Sequence, residues 1–100
     1  MTSESHTPPP APTKDDFAKV LSFIGDRLAP LLVTDDPRYA PVATSLDFAV
    51  RYLHGMAELE LDEGGPAYKP FSALTRIAEQ WKEHPDFDPG WTEYWHRQRP

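Results

Sequence analysis

The sequence predicts an all-α protein, a small bundle of three to four helices, and three observations carry that reading. Apolar residues recur at the 3.6-residue helical period in three separate stretches. Runs rich in proline, glycine and aspartate separate those stretches, and Pro41 and Pro70 stand where a helix tolerates proline, in its first turn. The chain has 100 residues, 39% hydrophobic and 26% charged, the size and composition of one globular domain.

The amino-terminal stretch is set apart by composition. Residues 1–12 are mostly Ser, Thr and Pro, and the prolines at positions 8, 9, 10 and 12 favour an extended conformation that buries little apolar surface. A disordered Pro-rich tail is expected over 1–12, with a single helical domain over 13–100. The stretch "MTSESHTPPPAPTKDD" has neither a basic nor an apolar segment of the secretory kind, so no secretory signal is expected.

The first helix begins at Thr13, where the hydroxyl can cap free amides and Asp16, three residues on, completes a capping box. Phe17, Val20, Leu21, Ile24 and Leu28 share one face, with Asp15, Lys19, Ser22 and Asp26 opposite. Pro30 should stop or kink the helix, after which Leu31, Leu32 and Val33 are expected to continue along the core. "TDDPRYAP" is turn chemistry.

The second helix, from Pro41 to about Glu60, carries two apolar stripes. Val42, Leu46, Ala49, Val50, Leu53 and Ala57 form one, and Phe48, Tyr52, Met56 and Leu59 form another roughly opposite. The remaining wedge holds Asp47, Arg51, His54 and Glu58, spaced for four-residue ion pairs. A helix apolar on two sides is either central in its own domain or half-covered by another chain; the central position is the expectation here. Gly55 is expected to let a neighbouring helix approach. The acids of "ELELDEGG" oppose the dipole of a helix end, so the helix should close near Leu59 and leave them solvated.

A third helix runs from about Pro70 to Glu83, with Phe71, Leu74, Ile77, Ala78 and Trp81 on its inner face and Ser72, Arg76, Glu79 and Glu83 outside. About ten residues separate it from the second, too long for a helix-turn-helix. The stretch "EHPDFDPGWTEYW" follows. Pro85 closes the helix, His84 is placed to donate to its last carbonyls, and Asp88, Pro89 and Gly90 suit either a turn or a capped helix start. Trp91, Tyr94 and Trp95 then share a face, an aromatic clamp folding back on the first and third helices.

The run "RIAEQWKEHPDFDPGW" resembles the carboxyl-terminal tails of small uncharacterised actinobacterial protein families, in which an Arg-x-x-Ala helix ends in His-Pro-Asp, an aromatic and then Trp. The resemblance covers roughly the last quarter of the chain and departs where "TEYWHRQRP" continues past Trp91. It implies an actinobacterial or phage-borne origin and brings no activity with it.

Function is bounded by what chemistry the residues supply. The absence of cysteine removes disulfides, thiolate chemistry and finger-type zinc sites, and a reducing cytoplasm is the expected location. A net charge of −6 with scattered bases would repel a phosphate backbone, and no apolar run is long enough for a membrane span. No cofactor is expected. A non-catalytic protein-interaction or regulatory module therefore ranks first, with a protein partner or a second copy as the expected partner. Its candidate partner-binding residues are Phe48, Tyr52, Met56, Leu59, Trp91 and Trp95. Two alternatives rank below it. One is a nucleic-acid-associated regulator using the aromatics with His96, Arg97 and Arg99. The other is a small metal-dependent enzyme or accessory subunit using His84, Asp86 and Asp88, whose imidazole and carboxylates are suitable donors.

Overall fold

The computed structural model describes residues 10–97, and side chains as far as Tyr94. Among these residues the fold is all-α. Four α-helices follow in order: α1 Lys14–Leu32, α2 Ala40–Asp62, α3 Tyr68–Ala78, which runs into a 3₁₀ turn at Glu79–Trp81, and α4 Trp91–Arg97. The expected tail is described only from Pro10 onward. There Pro12 is buried and the Pro10 carbonyl accepts a hydrogen bond from the Tyr94 hydroxyl at 2.9 Å, so these prolines pack on the domain.

α1 starts as its sequence dictates. The Thr13 side chain accepts from the Asp16 amide at 3.2 Å, and the Asp16 carboxylate accepts from the Thr13 amide at 2.8 Å. Such a cap contributes about 1 kcal/mol. Phe17, Val20, Ile24 and Leu28 are buried, and so is Phe23. Pro30 does not end the helix, which continues to Leu32 with Pro30 inside it. Proline there forfeits one helical hydrogen bond, but the following turn holds because Leu31 packs against the core. Leu32 and Val33, expected in the core, are exposed, since the chain turns away at once through Asp36. That carboxylate caps the turn by accepting from the Arg38 amide at 2.9 Å and pairs with the Arg38 guanidinium at 2.7 Å.

The central helix is α3, not α2. α3 is in contact with α1, α2 and α4, and it buries Pro70, Phe71, Ser72, Leu74, Thr75 and Ala78. Ser72, expected outside, is covered by α4. Thr75 is fully buried and its hydroxyl donates to the Ser72 carbonyl at 2.9 Å, which satisfies a polar group that a core cannot leave bare. α2 meets this core along a seam of small residues seven apart, Ala43, Val50 and Ala57, with Leu46, Leu53 and Leu61 beside it. Val42, about 100° round the helix from Ala43, turns to solvent and does not join the seam. The stripe opposite the seam, Phe48 to Leu59, is therefore outside the domain. Gly55, too, has open space where a side chain would stand, so no helix approaches it.

The α2–α3 connection is half the length expected, at residues 63–67. α2 runs on past Leu59 to Asp62 and closes with a left-handed Gly64 (φ 81°), the Gly65 amide donating back to the Glu60 carbonyl at 2.8 Å. Glu60 is not simply solvated. Its carboxylate accepts from the Ala67 amide at 2.9 Å, which holds Ala67 in the left-handed region (φ 55°) with its methyl buried. A non-glycine residue pays about 1–2 kcal/mol for that conformation, and the hydrogen bond and burial offset it.

Residues 82–90 then double back over α1. Two aromatic clusters result. Phe23 takes Trp81, Phe87 and Trp91 edge-on, at centroid distances of 6.5, 5.9 and 5.2 Å. Phe71 takes Phe17 at 4.9 Å and Tyr94 at 4.6 Å. The carboxyl-terminal rings Trp91 and Tyr94 thus close the bundle between α1 and α3, the clamp that their spacing implied.

Candidate interaction face

The candidate residues separate into a surface, a core and a part beyond description. Phe48, Tyr52, Met56 and Leu59 stand along the outer side of α2, exposed by 72, 62, 44 and 65% respectively. They follow one another at helical spacing because α2 has an apolar side in excess of the one its seam uses. Trp91, by contrast, is buried at 6% exposure against Phe23 and Phe87, and offers no binding surface. Trp95, His96 and Arg97 lie on the last turn of α4, but their side chains, and all of Arg99, fall outside the described residues.

One flank of the α2 face is charged. Arg51 donates to the Asp47 carboxylate at 2.8 Å, and that bond, with the attraction of the charge, raises the guanidinium above its usual range. His54 Nε2 lies 3.6 Å from the Glu58 carboxylate. Both pairs have the four-residue step read from the sequence, and both are exposed to solvent, which screens them. Between Phe48 and Leu59 the centre of the face carries no charge; Gly55 leaves a notch in it, with nothing within 4 Å of the space a Cβ would fill.

The polar residues of "HPDFD" have structural work. His84 closes the helix end through its backbone amide, which donates to the Trp81 carbonyl at 2.9 Å, and not through its ring; the ring Nδ1 accepts from the Asp86 amide at 3.0 Å, and the ring lies edge-on to Phe23 at 5.7 Å. The Asp88 carboxylate accepts from the Gly90 amide at 2.8 Å and its carbonyl accepts from the Trp91 amide at 3.0 Å, so Pro89 and Gly90 form a turn that leads into α4 at Trp91. Among the described residues, no three His, Cys, Asp or Glu side chains are grouped to hold a metal ion. Phe23, absent from the expected core, is the residue that organises this segment.

Beside Phe23 and Trp91 lies an open cleft walled by Lys19, Ser22, Asp26 and Arg27 of α1 and by Asp86 and Asp88. Its charges are mixed and its two rings are almost wholly covered, so it presents little to a ligand. Among the described residues, no helix is long and apolar enough to cross a membrane. No family model matches the chain, and neither a curated protein nor a solved structure shows significant similarity to it.

Proposed function

We propose that this chain is a non-catalytic protein-interaction or regulatory module that associates through the outer face of α2. The observation that carries the reading is the exposure of Phe48, Tyr52, Met56 and Leu59 along a single uncharged strip. Isolated surface apolar residues need no explanation, but a contiguous strip of four large ones lowers solubility and is retained where another surface covers it. Large rings flanked by charge pairs are also the composition of binding hot spots with a polar rim. The lack of cysteine suits a reducing cytoplasm. The test is capture of a protein, whether another protein or a second copy, by the intact chain and by Tyr52→Glu. Loss of capture with an unchanged helical circular dichroism spectrum supports the reading; capture equal to the parent's contradicts it.

A further inference from the structure

The outer face of α2 is self-complementary in its spacing. Positions 48 and 59, and positions 52 and 55, lie symmetrically about the point midway between Leu53 and His54. Two copies of α2 laid antiparallel about that point would set Phe48 of each against Leu59 of the other. Each Tyr52 ring would face the other copy's Gly55, whose missing side chain leaves open space. A large ring opposite a notch is the packing that brings two helices close.

Resting on the reading just given for this face, we propose that its occupant is a second copy of this chain, packed antiparallel on α2 in a two-fold dimer. Surface area agrees with that occupant. Phe48 and Tyr52 are mostly exposed, and an aromatic side chain offers about 150–250 Å². With Met56 and Leu59, each copy offers on the order of a few hundred Å² of apolar surface, which is less than the roughly 800 Å² per partner of a standard interface and fits a weak, concentration-dependent pair.

Net charge sets a constraint. Each chain carries −6, so two copies repel overall, and contact costs least over a surface without acids at its centre. The strip from Phe48 to Leu59 is such a surface. A two-fold axis across the helices also turns the flank bearing Arg51 and Glu58 onto the same flank of the other copy in reverse order. Arg51 and Glu58, both well exposed, then approach each other across the interface twice.

The test is sedimentation equilibrium of the full chain from about 1 to 500 μM, the range in which interfaces of modest size dissociate. Mass rising from one chain toward two, with self-affinity strengthening several-fold as salt goes from about 0.05 to 0.5 M, is expected, because salt screens the net repulsion. Tyr52→Glu should remove the dimer while leaving the far-ultraviolet circular dichroism spectrum intact. The register has its own readout, since the chain has no cysteine. A mixture of Phe48→Cys and Leu59→Cys chains should oxidise to the mixed disulfide, whereas each alone should not, like positions being about 16 Å apart along the paired helices. A dimer that survives Tyr52→Glu, or one in which Phe48→Cys alone crosslinks, overturns the proposal. A chain monomeric at every concentration overturns it too, and a bait experiment then decides the broader reading. Another protein captured by the parent and lost with Tyr52→Glu keeps α2 as an interaction face, while no capture removes both.

Discussion

The Phe23 ring meets the Trp91 indole edge to face, centroids 5.2 Å apart and planes at 62°. This contact ties the last described helix to the first. Trp91→Ala should cost about 3–5 kcal/mol in urea unfolding, the range for deleting a buried large ring. The double variant with Phe23→Ala should fall short of additivity by about 0.5–1.5 kcal/mol, the extra attraction of an aromatic pair. Additive losses would mean that the rings are merely neighbours.

Gly55 faces open space inside an exposed helix. Gly55→Ala should therefore stabilise the chain by about 0.5–1 kcal/mol through helix propensity alone, measured at a concentration low enough to keep it monomeric. A loss of stability would reveal a neighbour at that position.

Glu60 and Gly65 act together. A Cβ on Gly65 would stand 2.6 Å from the Glu60 Cγ, so Gly65→Ala must displace the carboxylate that accepts from Ala67. Glu60→Ala and Gly65→Ala should each cost about 1–2 kcal/mol, and the pair together little more than the larger of the two, because both remove the same hydrogen bond. Thermal unfolding of the three variants checks this.

Tyr94 sets an alkaline limit. Burial, then the nearby charges of Asp16, Tyr68 and Asp88, raises its hydroxyl above the ordinary tyrosine range, and the hydroxyl donates to Pro10. A folded-state value above the unfolded one means that the native chain holds its proton longer. Its stabilising contribution is thus complete below about pH 10 and lost as pH rises through the folded value. Tyr94→Phe should be less stable than the parent near neutrality and lose less stability between about pH 10 and 12. Parallel alkaline melting curves for the two proteins would contradict that assignment.

Much of this was legible in the sequence, and the failures share one cause. The Thr13–Asp16 box, the Phe17–Leu28 face and the Asp47–Arg51 pair depend on local spacing, and the structure has each of them. Phe23 lies about 120° round α1 from Phe17, on a flank that counts as surface until residues 84–91 fold over it. α2's two stripes were equally readable, but which one met the core depended on α3 taking the centre. Glu60 looked solvated because its acceptor role is for Ala67, seven residues away across a turn whose path no periodicity describes. The candidate face was found as residues, and its exposure came only from the packing of the others.

The central claim is that Phe48, Tyr52, Met56 and Leu59 form a surface kept apolar for binding and contribute nothing to the core. The most direct measurement is the urea unfolding free energy of Tyr52→Ala at a concentration where the parent is monomeric. A value within about 0.5 kcal/mol of the parent's is the expected result, as for any exposed side chain. A loss of about 2 kcal/mol or more, the signature of a buried ring, would contradict it.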